Sequence, residues 1–412
     1  MFSALTPVAA LLLSVAFLLM GSGLQNTLTP IRAEIEGFEA MALGALGAAY
    51  YFGFVIGCVA APVIVKRAGH IRSFVAMVSI GSSVALIHPI IVDPWVWTVL
   101  RLFTGFCLAG LFMIIESWLN EKASNESRGV IFSTYLGINL SVITVGQLLI
   151  TVDDPRSFSL FALASILVSL AAVPLALTRS QEPAPPNIVK LRILRLYKMS
   201  PVGLVGSFSV GLSNGAFWTL GPVYGAVSGG GAEGAAIFMA IGAIAGAAGQ
   251  WPLGRLSDRM DRRIIIMAAC LLAAVADLFM SILGNDSQAI RLICVAGFGL
   301  FALPIYALSA AHMNDMVTDS GFVEAAGGLL LTFSIGAVIG PLAASTVMSL
   351  IGPPGLFAVI AAVHLSTAVF VASRMKIRQA TPDDERGDFA EAALAAQTVA
   401  VVEELEPSTA AD

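Results

Sequence analysis

Charge is what this sequence has least of. Only 12% of its 412 residues are Asp, Glu, Lys or Arg, against about 25% in an ordinary soluble domain. Apolar residues make up 57%. Such a chain expects lipid as its solvent rather than water. Cysteine is scarce too, and all four (Cys58, Cys107, Cys270 and Cys294) lie inside apolar runs. Their spacing suits neither a disulfide framework nor a metal site. The four histidines (His70, His88, His312 and His364) fall on loops and helix ends, with no nucleophile or second ligand at a useful spacing. No glycine-lysine loop is present to cradle a phosphate. An enzyme is therefore not expected, nor a cofactor, a metal or ATP-driven transport. No Lys or Arg precedes the apolar run that starts at Val8, so a cleaved signal peptide is not expected either.

What the sequence has is long apolar stretches. Twelve candidate spans run over 8–28, 41–65, 73–92, 95–119, 129–152, 157–177, 202–227, 235–253, 264–283, 290–311, 322–350 and 355–372. An even number of crossings puts both termini on one face. The basic residues choose the face: 18 of the 22 Lys and Arg fall on the side of the 254–263 loop, the exceptions being Arg32, Arg101, Arg156 and Arg291. That asymmetry makes the loop side, and both termini, cytoplasmic.

The spans also repeat. Gly23-Leu24-Gln25-Asn26 in the first has a counterpart in Gly211-Leu212-Ser213-Asn214 of the seventh, each followed by a proline. Arg101-Leu102 and the triplet from Gly110 return in the tenth span as Arg291-Leu292 and the triplet from Gly299. The expected organisation is an N-terminal six-helix half (1–178), a linker (179–200), a C-terminal half (201–373) and an acidic tail (374–412) without a spanning segment. The linker turns from Pro-rich to basic and amphipathic, which reads as a helix on the anionic inner leaflet.

Between the eighth and ninth spans the chain reads Gly-Arg-Leu-Ser-Asp-Arg-Met-Asp-Arg-Arg. Gly254, Asp258, Arg259, Arg262 and Arg263 resemble the loop signature of the major facilitator superfamily, with Asp261 where that family usually has glycine. The first-half loop keeps Arg67 and Gly69 of the same pattern but has Pro62 and Lys66 at two others. Arg101-Leu-Phe-Thr-Gly105 is similar to the family's fourth-helix motif. The stretches from Glu116 to Asn120 and from Asn125 to Gly129 resemble its YcaD-like branch. The resemblance implies an all-α integral membrane protein, twelve transmembrane helices in two pseudo-symmetric halves. It also implies a monomeric transporter of the bacterial inner membrane whose partners are lipid, a small solute and protons, with no nucleic acid.

Polar groups within spans are costly in lipid and face an interior. Gln25, Asn26, Arg101, Tyr135, Asn139, Asn214, Trp218 and Tyr306 are the expected cavity residues, amides and aromatics suited to a polar or amphipathic solute. Each could equally bond between helices, and Arg101 could simply satisfy neighbouring carbonyls. Tyr50 and Tyr51 read as lipid-facing. Glu116 and Asp277 are the candidates for proton coupling, although Asp277 could merely pair with a neighbour and Glu116 with Lys122. In this fold the basic loop of Lys66, Arg67 and Arg72 would face the acidic one of Asp315, Asp319 and Glu324. Asp258 and Arg259 would face the start of the fifth span, near Glu121, Glu126 and Arg128. Together with Gly254, Arg262 and Arg263 these form an expected cytoplasmic gate. The expected function is secondary active transport of a small organic solute by alternating access. A drug-efflux antiporter and a non-transporting receptor or assembly factor are the alternatives.

Overall fold

The computed structural model describes residues 8–123, 127–177, 192–317, 321–377, Gly387 and Phe389. The first half holds α1 (Ala9–Ile35), α2 (Ala40–Ala68), α3 (His70–Ile87), α4 (Pro94–Lys122), α5 (Arg128–Leu148), extended by a 3-10 turn (Leu149–Val152), α6 (Phe158–Leu170) and α7 (Ala172–Ala176). A linker helix α8 (Ile193–Met199) leads to α9 (Pro201–Val227), α10 (Gly231–Arg259), α11 (Arg262–Leu283), α12 (Gln288–Ala302), α13 (Ile305–Asn314), α14 (Phe322–Ile351) and α15 (Gly355–Met375). Among the described residues, eleven helical passages are long and apolar enough to cross a membrane, with α6–α7 and α12–α13 each forming one; α9, at 27 residues, is long enough to span but less apolar. The two breaks have a local cause. Pro174 and Pro304 lack the N–H that a continuous helix would use. Asp93 starts α4 by accepting from the N–H groups of Trp95 and Val96, both at 2.9 Å, with Pro94 at the first helical position.

Within each half, glycines decide which helices touch. A Cβ on Gly23 (α1) would lie 2.6 Å from Ile143 O, and one on Gly146 (α5) 2.3 Å from Met20 O, so neither position admits a side chain. The second half repeats the arrangement between α9 and α14, with Gly211 against Phe333 O at 2.0 Å and Gly336 against Phe208 O at 2.2 Å. Gly53 and Gly105 join α2 to α4 in the same way, and Gly249 and Gly299 join α10 to α12. Backbones that approach this closely replace the hydrophobic drive that lipid does not supply.

The apolar core divides unevenly along the helix axes. The start of α1, the 254–263 loop and the end of α15 share one end of the bundle, the terminal face. At the opposite end one cluster unites both halves, Leu24, Leu28, Leu46, Trp97 and Phe161 with Phe217, Tyr224, Phe298 and Phe357. Towards the terminal face the clusters separate. Val15, Phe74, Ile114, Trp118 and Tyr135 belong to the first half alone; Val202, Ile265, Ile266, Leu308 and Val371 belong to the second. Gly44 and Gly47 of α2 permit the closure. Added Cβ atoms there would fall 2.1 Å from Ser345 Oγ on α14 and 2.2 Å from Thr219 Cγ2 on α9. The halves are thus sealed at the end away from the termini and part towards the terminal face.

The linker helix is seated on protein. Leu196 is buried, close enough to Gly328 of α14 that a Cβ there would lie 2.1 Å from Leu196 Cδ1. Arg192 N donates to Glu324 Oε1 at 3.1 Å and Arg195 pairs with Glu324 Oε2 at 3.5 Å. Leu194, 80% exposed, is left pointing outward. The Pro-rich and Lys190 portions of the linker lie outside the described residues.

Candidate functional site: polar groups between and within the halves

Arg101 enters α4 about 10 Å from its start at 1.5 Å per residue and is 6% exposed. Its Nη1 donates to Asn26 Oδ1 on α1 at 2.9 Å, and its guanidinium carbon sits 4.5 Å from the centre of the Tyr50 ring on α2. Asn26 Nδ2 in turn donates to Ser22 Oγ at 3.3 Å. Among the described residues no carboxylate comes within ion-pair distance of this buried cation. Tyr50, expected to face lipid, instead supplies the ring face on which the guanidinium rests. Its sequence position gave no sign of this, because the register between α2 and α4 is set by Gly53 and Gly105. Arg291, the repeat mate, takes the carbonyl-binding role, donating to Gly284 O at 3.0 Å and Gly229 O at 3.4 Å.

Gln25 points elsewhere. It borders a cavity of about 20 Å³ inside the first half with Ser22, Thr104, Cys107 and Val168, and its Nε2 has no protein partner. Such a space holds a single water, with Ser22 and Thr104 as further polar neighbours. Asn214 Oδ1 and Asn139 Oδ1 are likewise buried without a partner. Trp218 packs edge-on to Phe217 and Tyr306 edge-on to Phe333.

Glu116 is buried near the terminal end of α4, where Tyr135 Oη donates to its Oε1 at 3.1 Å. Fifteen residues of helix separate it from Arg101, about 22 Å. One small solute cannot touch both. Asp277 is fully buried on α11, and its Oδ2 lies 2.7 Å from His364 Nδ1 on α15. His364, read from sequence as one of the histidines on loops and helix ends, instead lies in the middle of α15; its pairing with Asp277 spans 87 positions, which no local spacing reveals. His88, also buried, stacks on Phe161 and turns its Nδ1 to Val84 O.

At the terminal face the charged loop closes on itself. Arg262 is 1% exposed. Its Nε donates to Asp315 Oδ2 at 2.8 Å, and its Nη1 donates to Ser257 Oγ at 3.0 Å and Asp258 Oδ1 at 3.2 Å. Arg263 clasps both carboxylate oxygens of Asp261, at 3.0 Å and 2.7 Å. The residue standing where glycine was expected is an N-cap. Asp261 has φ −55° and accepts from Arg263 N, so this turn has no need of a positive φ. Burial pushes the Asp261 carboxyl up, but the side-chain and backbone bonds from Arg263 outweigh it and hold the group below the usual carboxylate range.

Among the described residues, the charge pairs expected across the two halves are not formed in this arrangement. Asp315 is given to Arg262 and Glu324 to Arg192 and Arg195, while Asp258 is given to Arg262 and Phe389 N. Lys66, Arg67 and Arg72 are exposed, with no ion pair among the described residues, and Arg259 is exposed as well. The reason is the parting of the halves at this face. Asp319 and Glu126 lie outside the described residues, as does the side chain of Arg128.

Two six-helix halves of repeated packing, sealed at one end and carrying polar side chains in their spans, define a polytopic membrane transport protein. The chain belongs to the Major Facilitator Superfamily, whose family model matches residues 11–323 and again 244–403. The uncharacterised MFS-type transporter YcaD of Escherichia fergusonii is 24% identical over 359 residues, covering 87% of this chain and 93% of that protein. An uncharacterised MFS-type transporter of Yersinia enterocolitica, YE1530, is 25% identical over 386 residues, covering 93% and 98%. The chain is thus similar to YcaD-like transporters over most of its length. Among solved structures, the nucleoside transporter NupG superposes with a TM-score of 0.75 at 12% identity, covering 90% of this chain and 98% of that one. A bacterial homologue of the human lysosomal transporter Spinster, inward-facing and occupied, gives 0.70 at 15% identity, covering 92% and 97%. At such identities the likeness is one of fold.

Proposed function

We propose that this chain is a secondary active transporter that moves a small organic solute bearing an acidic group across the bacterial inner membrane. It does so by alternating access, with the terminal face cytoplasmic. The observation that carries the reading is Arg101, a buried guanidinium held by an amide and an aromatic ring with no carboxylate beside it among the described residues. A cation at membrane depth without a counter-charge is costly, and a solute carboxylate or phosphate would supply one through a charge-assisted bond. Asn26 orients the fork, and Tyr50 offers a flat apolar neighbour for the rest of the solute. The basic asymmetry of the sequence supports the cytoplasmic placement of the terminal face.

In this reading the parted cores put the protein in its inward-open state. Rocking of one half on the other then brings the loop of Lys66, Arg67 and Arg72 towards the acids before α14, and the loop after Gly254 towards the start of α5. Proton coupling is assigned to buried carboxylates, Glu116 beside Tyr135 and Asp277 beside His364. Loading a proton there removes a charge whose burial is expensive, at a site distinct from the solute. Purified protein in proteoliposomes tests the reading, through counterflow of a panel of organic acids and solute-driven proton movement. The expected result is saturable uptake of an anionic solute, abolished in Arg101→Ala. Uptake confined to neutral or cationic solutes would refute the anion assignment.

A further inference from the structure

Two residues of the tail, Gly387 and Phe389, are tied to the loop that carries the family motif. Gly387 O accepts from Arg262 Nη2, Gly387 N donates to Asp315 Oδ1 at 3.1 Å, and Phe389 N donates to Asp258 Oδ1 at 3.0 Å. Both acids that flank the buried arginine thus spend a lone pair on tail backbone, and the arginine spends an N–H. The Phe389 ring is buried at 6% exposure in the second-half core that holds Val202, Ile265 and Leu308. Its seat is Gly254. A Cβ on that glycine would fall 2.2 Å from Phe389 Cδ1, so the ring occupies the space the missing side chain leaves. Gly387 and Phe389 therefore bridge the terminal ends of α10, α11 and α13.

We infer that Gly254, Asp258, Arg262 and Asp315 form a docking surface for this chain's own tail, and that Gly387 and Phe389 latch the second half in its open arrangement. The inference rests on the reading that the halves rock. The surface is reachable because the halves keep separate cores at this face. Closing the face brings the first half towards the same loop, where the tail already holds Asp258 and Arg262. Tail and first half then compete for one set of acceptors and donors, and whichever occupies it excludes the other. The selectivity is structural. The equivalent first-half loop has Pro62 in place of the glycine and no acid around Lys66, Arg67 and Arg72, so it lacks both the seat for a ring and the acceptors for backbone N–H groups.

The test measures the separation of spin labels at Glu121→Cys and Met260→Cys, on the two halves at the terminal face of the full chain in proteoliposomes. With the tail intact the long separation predominates. Phe389→Ala, and separately Gly387→Pro, which removes the N–H given to Asp315, raise the population of the short separation several-fold. A synthetic peptide spanning residues 384–392 restores the long one in Phe389→Ala. Two separations in the intact chain whose ratio neither variant changes would overturn the latch while leaving rocking intact. A single separation under every solute and pH condition would overturn both. A variant that loses thermal stability with no change in the ratio marks the tail as a structural clamp and refutes the latch.

Discussion

His364 Nδ1 and Asp277 Oδ2 lie 2.7 Å apart, each sealed from solvent, and the outward atoms of the pair, Asp277 Oδ1 and His364 Nε2, have no protein partner. The contact ties α11 to α15 within the second half. A bond of this kind is strong in a dry setting and expensive to break on one side only. Asp277→Asn and His364→Phe singly should each lower the thermal stability of the purified protein, by about 1–3 kcal/mol. The double variant should cost less than the sum, with a coupling of about 1 kcal/mol or more. Additive losses in the cycle would show that the pair does not act as a unit.

Arg101 should not tolerate lysine. A lysine keeps the charge but loses the planar fork held by Asn26 and the stacking on Tyr50. We expect Arg101→Lys to fold, as judged by size-exclusion and helical circular dichroism, yet to weaken solute binding by about tenfold or more, the cost of one charge-assisted bond. Tyr50→Leu should weaken binding less, in line with the smaller worth of a ring beneath a cation. Equal affinity in Arg101→Lys would place the solute elsewhere.

The Arg262–Asp315 pair is almost fully enclosed, with side-chain exposures of 1% and 2%. Removing one partner strands the other. Asp315→Ala should destabilise the protein by about 3–5 kcal/mol, whereas Arg262→Met with Asp315→Leu should cost much less, since a buried pair replaced by apolar volume is often near neutral. Thermal unfolding in detergent compares the two. A double variant as unstable as Asp315→Ala would count against this account.

Asp261 gives the pH dependence its sign. Its folded carboxyl titrates below its unfolded value. The stability it contributes is therefore fully present above the unfolded pKa, about 3.9, and is lost as pH falls through the lower folded value. Wild type should lose thermal stability relative to Asp261→Asn on acidification across that window, and the two should run parallel from pH 5 to 8. A difference that grows between pH 5 and 8 would point to another group.

The architecture was open to sequence reading because lipid leaves few options. A chain with this little charge must satisfy its backbone within helices, so the spans could be counted from apolar length. The offset between Gly23 and Gly211 marks the two halves in the sequence itself. Local chemistry was legible too, in Asp93 before Pro94 and in the motif from Gly254. The individual bonds were not. Arg262 meets Asp315 across 53 positions and Asp277 meets His364 across 87. No periodicity links residues so far apart.

Sequence alone determined the number of crossings, the internal repeat and the loop that marks the family, because each is written in composition or in short-range spacing. Tertiary structure decided that Tyr50 lies under Arg101, that Gln25 turns into the first half and that Phe389 seats on Gly254. It also decided that the halves seal away from the termini. Those outcomes depend on how close two helix backbones can come, which glycine allows at a given point and only packing selects.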